Sequence, residues 1–297
     1  MPRPTAVRRV RRKGARRHKH RPARLGPIDR LLPIGRLWPA RRSKRRSLRA
    51  PGRSSPTLKV CLGLALVAML GLVTNWVYQV ICKPAELLFP VSGTLYKTPP
   101  ETWQRYGPLF QRYATRVMTP DLLAAIAQVE SSGNPLVRTY WRWSWTTQPF
   151  DVYRPASSAV GMYQMTDGTF AQARHYCIRN HTVEEQGRSH RWRTCAFNGF
   201  YARLIPGDAV ELTAAYLDRS VAATLARQRM QGATLQQRQR LATLIHLCGV
   251  AEGDAYASRG FRLIEGQRCA DQDVRRYLAQ VNAMRGVFKH LEHSRSS

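Results

Sequence analysis

Acidic residues are scarce in this chain. Its 297 residues include 48 Lys and Arg but only 18 Asp and Glu, for a formal net charge of +30. The imbalance is local. Residues 1–59 hold 21 of the basic residues and a single acid, Asp29, leaving 27 basic against 17 acidic for the remainder, so 20 of the 30 net charges lie in the first fifth. The basic balance describes a tail rather than a domain. Cysteine is sparse too, six in all, and no pair is spaced as CxxC. That argues against zinc-ribbon and dithiol redox motifs. The eight histidines form no spaced cluster, so no metal site and no cofactor are expected. Runs of Val, Ile and Thr are few, which argues against a strand-rich fold.

One uncharged stretch stands out. Val60 to Cys82 spans 23 residues without a charge; as a helix it is about 34 Å long, enough to cross a hydrocarbon core. Trp76 and Tyr78 fall near its outer end, where amphipathic rings suit an interface, while Asn75 and Gln79 weaken its second half. A transmembrane anchor over 58–82 is the expectation. The competing reading is a signal peptide with Val60–Val73 as its apolar core. Bulky residues from Tyr78 to Lys83 offer it no small-x-small cleavage site, and Gln79-Val80-Ile81-Cys82 is a poor lipobox. The Arg-rich side stays cytoplasmic, so the chain from Lys83 onward lies on the far side of the membrane.

The flanks divide accordingly. Residues 1–57 have a disordered composition, with dense positive runs at Arg8–Lys19 and Arg41–Arg49. They read as a solvated cytoplasmic tail, or as one touching anionic headgroups; nucleic-acid contact is not expected. A third reading is translated upstream sequence, with the true start at a later, non-Met codon. Residues 83–100 carry Pro84, Pro90, Pro99 and Pro100 and read as a spacer. The folded domain is 101–291, and 292–297 is a short tail. The 215 residues from Lys83 onward suffice for one well-buried core.

Within the domain, helices are expected at Glu101–Val117, Ala171–Cys177, Ala209–Gln228, Thr234–Cys248 (ended by Gly249) and Asp271–Leu291. Gly107-Pro108 should break or restart the first. Trp103, Tyr106, Phe110 and Tyr113 recur at roughly helical spacing and read as core. Arg179–Arg193 is polar, with a stop near Asn198-Gly199. Cys177 and Cys195 are 18 apart and Cys248 and Cys269 are 21 apart. Proximity pairs them in that way, although four cysteines allow three connectivities, and an oxidising compartment beyond the membrane would close both. Cys61 and Cys82 lie in the membrane segment.

The chemistry concentrates between Thr119 and Phe170. Thr119 is a fit N-cap, Pro120 suits the first helical position and Asp121 suits the positive end of the dipole. Leu122, Leu123, Ile126 and Val129 give the helix an apolar face. Glu130 closes it, and Ser131-Ser132-Gly133-Asn134-Pro135 stops it. A carboxyl at the end of an apolar helix is poorly solvated, which raises its pKa toward the range a general acid needs. Downstream, Gly161 permits a close turn, and Gln164 sits in the otherwise apolar run Met162–Met165. An amide there needs a polar partner, and a ligand would supply one. Between the two segments, Trp141, Trp143 and Trp145 alternate along an extended stretch. They suit either stacking on sugar rings or a hairpin packed into the core.

The two segments together resemble the lytic transglycosylases of the goose-lysozyme-like (SLT) superfamily. Glu130-Ser131-Ser132-Gly133-Asn134-Pro135 is similar to that family's Glu-Ser-x-x-Asn-Pro motif. Gly161-Met162-Tyr163-Gln164-Met165, with Thr169 following, is similar to its Gly-Leu-Met-Gln-Ile-x-Pro-x-Thr motif. The resemblance covers about Glu101 to Ala283. Tyr163 and Asp167 depart from the pattern, as does the longer spacing between the motifs. The family's Ala-Tyr-Asn-Ala-Gly motif is only echoed by His246-Leu247-Cys248-Gly249. Thr213–Leu217, with Tyr216, resembles the helix that precedes that motif.

The resemblance implies a mainly α, lysozyme-like helical domain behind a single N-terminal transmembrane helix in a bacterial inner membrane, with the domain in the periplasm. It implies cleavage of the β-1,4 bond between N-acetylmuramic acid and N-acetylglucosamine in peptidoglycan glycan strands. Glu130 would act first as acid and then as base, while the muramic acid's C6 hydroxyl attacks and leaves a 1,6-anhydro end. Gln164 would bond an acetamido or hydroxyl group. Gly161, Met162, Tyr163, Trp141, Trp143 and Tyr216 would shape the sugar site, and Ser131 would brace the acid or its turn. Asp151 and Asp167 are candidates for a second carboxylate, which would make the enzyme a lysozyme-type hydrolase instead. A non-catalytic peptidoglycan-binding scaffold is the rival from another class. An anchored enzyme suits local gap-making for a secretion or conjugation apparatus.

Overall fold

A computed structural model describes residues 55–145, 148–185, 195 and 202–294. The basic segment 1–54 and the turn expected at Asn198-Gly199 lie outside the described residues, as do 186–194 of the polar stretch and 295–297 of the C-terminal tail.

The fold is mainly helical. Helix α1 (Pro56–Cys82) is long and apolar enough to cross a membrane by length and composition. It begins two residues before the expected span, with Ser55 as N-cap and Pro56 in the first turn. Asn75 and Gln79, which looked like flaws in its second half, are its buried residues. Each amide donates to a main-chain carbonyl of the domain, Asn75 Nδ2 to Tyr153 O at 2.6 Å and Gln79 Nε2 to Phe150 O at 2.7 Å.

The segment 83–100 is not a free spacer. It folds into a 3-10 turn (Pro84–Leu88) and a helical turn, α2 (Phe89–Ser92). Buried Glu86 takes an ion pair from Arg138 and a hydrogen bond from Trp141 Nε1 at 2.9 Å. Buried Asn134 donates to Ser92 O, and Lys97 N donates to Ser132 O at 2.8 Å. These bonds wrap the segment around the turn that follows Glu130.

Helix α3 (Pro99–Arg112) starts on a Thr98–Glu101 capping box and runs through Pro108 without a break. The residue before a proline is normally forced from helical geometry by its own Cβ; here it is Gly107, which has none. Trp103, Tyr106 and Phe110 are buried in the core and Tyr113 packs against it. Helix α4 (Pro120–Ser131) has Thr119 at its N-cap and ends on Ser132 in the left-handed conformation. Strands β1 (Trp141–Trp143) and β2 (Tyr153–Pro155) form an antiparallel hairpin, with Trp143 opposite Tyr153.

Helix α5 (Asp167–Ala173) starts and ends four residues earlier than expected. Residues Tyr176–Arg179 are not helix but strand β3, paired with β4 (Thr182–Glu185). The turn between them holds Asn180 and His181 at positive φ, the two-residue geometry that matches strand twist. Helix α6 (Pro206–Arg227) is buried along most of its length and packs on α3, α5, β3, α7 (Leu235–Cys248) and α8 (Val250–Ser258). The short pair β5 (Arg268–Cys269) and β6 (Gln272–Asp273) leads into α9 (Val274–His293), which extends past the expected end at 291. Disulfides close Cys177–Cys195 and Cys248–Cys269.

Candidate active site

The site is built where α4, α7 and α9 meet. Two polar clasps lash these helices together, one at each end of α4. At the start, Asp121 Oδ2 accepts from Arg285 Nε of α9 at 2.9 Å, and Arg285 also reaches Gln239 Oε1 of α7 at 2.8 Å. Gln239 in turn donates to Val117 O and Thr119 Oγ1. At the end, Glu130 Oε1 accepts from the Tyr277 hydroxyl of α9 and lies 3.3 Å from His246 Nε2 of α7. The order of contacts makes α9 antiparallel to α4 and α7 parallel to it.

Glu130 and His246 keep 14% and 13% of their side-chain surface exposed, so the carboxyl is shielded yet reachable. Burial pushes the Glu130 pKa up, as the sequence suggests. The hydrogen bond and charge of His246, with the Tyr277 hydroxyl, more than offset it and hold the group below its ordinary value. The expected raised pKa is therefore not the state of the free protein. Tyr277 moves the other way: burial and the neighbouring carboxylate keep its phenol protonated well above pH 10.

Beside His246 lies a cavity of about 220 Å³, lined by Tyr163, Gln164, Thr169, Thr213, Tyr216 and His246 among others. Its floor is the loop 160–165. The Val160 and Met165 backbones bond each other in both directions, and Gly161-Met162-Tyr163-Gln164 forms the tip. Gly161 has φ of +80°, and a Cβ there would lie 2.4 Å from Arg203 O, so the turn admits only glycine without rearrangement. Met162 is not a sugar-site residue: it is fully buried in the core. Tyr163 is also buried, donates to Leu123 O at 3.2 Å and presents only part of itself to the cavity. Gln164 Nε2 donates to Val137 O and Gly161 O; the amide needs a partner, and finds it in main-chain carbonyls of its own turn and of the segment after α4. Ser131 Oγ lies 2.8 Å from both Ala127 O and Met162 O. It thus braces the helix carrying the acid against the loop carrying Gln164.

Gln164 and Tyr216 therefore meet at the cavity beside His246, while Gly161, Met162 and Ser131 support it from beneath. Trp141 and Trp143 belong elsewhere. Their rings pack on Tyr153 at 5.2 and 4.8 Å, at the α1 end of the molecule. Asp151 and Asp167 are elsewhere too. They line a different cavity and pair with Arg154 and Arg203 respectively. Among the described residues no His, Cys, Asp and Glu group has metal-holding geometry.

Two site residues escape a reading from sequence. His246 appears there only within a weak motif echo. Tyr277 sits in the buried stripe Val274, Tyr277, Leu278, Val281 of α9. The available signal is the phenol itself, since a hydroxyl in an apolar stripe calls for an acceptor. Compared with protein-family models, with curated proteins and with solved structures, the chain matches none.

Proposed function

We propose that the protein is a membrane-anchored peptidoglycan lytic transglycosylase with a lysozyme-like domain, and that Glu130 is its acid and base. The observation that carries the reading is the environment of Glu130. It is a largely buried carboxyl at a helix end, held by a tyrosine and by a histidine that itself lines a cavity with Gln164 and Tyr216. Both partners hold Oε1, so Oε2 is the oxygen left to exchange a proton with a glycan. A sugar chain entering the cavity removes water from the carboxyl and strengthens the upward pull of burial. The proton would then sit on Glu130 when the glycosidic oxygen arrives. The C6 hydroxyl of the muramic acid attacks its own anomeric carbon, the glycosidic bond breaks, and Glu130 recovers the proton from that hydroxyl. No water is consumed and no second carboxylate is needed, which suits the pairing of Asp151 with Arg154 and of Asp167 with Arg203 at a different cavity. The α1 anchor would keep the domain in the periplasm, where its two disulfides form; work beside a secretion or conjugation apparatus fits that tether.

The test is mass spectrometry of soluble products from sacculi treated with the full-length protein in detergent, beside Glu130→Gln. Anhydro-muropeptides from the first and none from the second are expected. Reducing-end products would mean hydrolysis. Binding without release would favour a second reading, a peptidoglycan-binding scaffold. The lowered pKa of Glu130 in the free protein and the missing Tyr and Asn of the third motif give that reading its support.

A further inference from the structure

The β1–β2 hairpin carries aromatic surface the site does not use. Tyr140 and Trp143 are exposed by 66% and 63%, Trp145 is fully exposed and Phe150 is exposed by 43%. Large aromatics standing in water in this way mark a surface with a partner. The hairpin's attachment says which partner. Gln79 of α1 donates to Phe150 O, Asn75 donates to Tyr153 O, and the Tyr78 and Phe150 rings lie 5.1 Å apart. The last charge before the apolar run is Lys59. Twenty residues at 1.5 Å each span the ~30 Å hydrocarbon core, so a helix entering at Val60 leaves it at about Gln79. The residues that grip the hairpin are therefore at the outer boundary of the hydrocarbon, with Asn75 about one turn inside it. An amide at that depth needs a protein acceptor, and the hairpin carbonyls supply it. Trp143, opposite Tyr153 in the register, is held at the same level.

We infer that the exposed aromatic face of the β1–β2 hairpin lies in the interfacial layer of the bilayer that α1 crosses. This rests on the proposed anchor and not on murein cleavage. Tryptophan and tyrosine are the side chains that favour that layer, with an apolar ring toward the acyl chains and a polar edge toward the headgroups. The hairpin then seats the domain against the membrane surface instead of leaving it to swing on a tether.

The experiment uses the full-length chain in vesicles of phosphatidylethanolamine and phosphatidylglycerol, part of whose lipid carries bromine near the carbonyl end of one acyl chain. Emission of the wild type is compared with that of a Trp143→Phe, Trp145→Phe double variant, which keeps aromatic rings but removes two fluorophores. The difference spectrum isolates these two tryptophans from the other five. It should be quenched by the brominated lipid and protected from aqueous iodide, while murein cleavage by the variant is unchanged. A difference component quenched by iodide and untouched by bromine overturns the inference. So does one that responds only to added glycan strands, which would return the hairpin to sugar binding. Extraction by alkaline carbonate, measured on the same vesicles, tells a failed anchor from a hairpin that merely stands off the surface; either result overturns the inference.

Discussion

The two clasps of α4 are made from the same three helices and each is centred on one carboxylate, yet they are chemically unlike. Asp121 meets Arg285, a cation that does not lose its proton in water, with 6% of its side chain exposed. Glu130 meets a phenol and a histidine that lines a cavity, with 14% exposed. The first arrangement can only hold. The second is assembled from groups that can trade a proton, and it is open enough for a ligand to change its solvation. The contrast separates a carboxylate kept for cohesion from one kept for chemistry, and it can be broken at either end.

The largest expected effect is on rate. Glu130→Gln keeps the shape and can still accept from Tyr277, but it cannot give up a proton. A general acid–base group is worth about 10²- to 10⁴-fold, so release of soluble muropeptides should fall by that factor, while the melting temperature falls only by what the ionised carboxylate contributes. Asp121→Ala should do the reverse. Removing one partner of a buried ion pair costs about 3–5 kcal/mol, seen as a lower midpoint in urea, with cleavage per folded molecule retained. Equal losses of stability from both substitutions would erase the distinction.

The disulfides sharpen the same contrast. Each closes a loop of about twenty residues, worth about 3 kcal/mol in the chain-entropy account. Cys248 is two residues beyond His246, and Cys269 lies on the strand pair that leads into the helix of Tyr277. The bridge thus joins the two elements that hold Glu130. Cys177 lies on β3, and its bridge ties that strand to Cys195. Double Cys→Ser variants should lose similar stability in thermal unfolding. Only the Cys248–Cys269 pair should also lose activity well below its melting temperature.

Much of the first clasp's scaffold is legible in the sequence. Thr119-Pro120-Asp121 announces the start of α4, Thr234 and Gly249 bound α7, and the nearest-neighbour cysteine pairs are the ones that close. These signals are local: a cap, a fixed φ, a short loop. The second clasp is illegible for the opposite reason. Tyr277 lies 147 residues from Glu130, and nothing within α9 names its acceptor. The direction of the Glu130 shift hides in the same place, because sequence reveals the burial and not the partners that offset it. The β3–β4 hairpin was missed because Asn180-His181 reads as polar loop, although Asn tolerates the positive φ that the turn needs. Asn75 and Gln79 looked like weak points of a membrane helix; the carbonyls that answer them are more than seventy residues away.

Tyr277→Phe probes the clasp more gently. It deletes one hydroxyl and leaves the carboxylate short of a donor, at about 1–3 kcal/mol. Because that donor favours the ionised form, its loss also changes the pH dependence of stability. The ordinary carboxyl value is 4.5 and the folded value lies below it. The stabilisation is therefore complete above about pH 4.5 and is lost as pH falls through the folded value. Acid unfolding curves of wild type and Tyr277→Phe should converge at the acid end, with the variant less stable above it.

The smallest effect is a displacement along the pH axis. If Glu130 must be protonated to start the reaction, the rate falls as pH rises through its pKa in the complex. His246 is the larger of the two influences that hold that pKa down, through its hydrogen bond and its charge. Replacing it with glutamine removes the charge and leaves burial in place, so the pKa rises. The falling, alkaline limb of the rate profile should then move to higher pH in His246→Gln, even if the maximum rate is lower. A rising, acid limb that moves to higher pH in its place would mean that the carboxylate, not the acid, starts the reaction. A limb that does not move would mean that another group sets it. In that last case the end clasp would be a second structural tie, and the unlikeness of the two carboxylates would carry no chemistry.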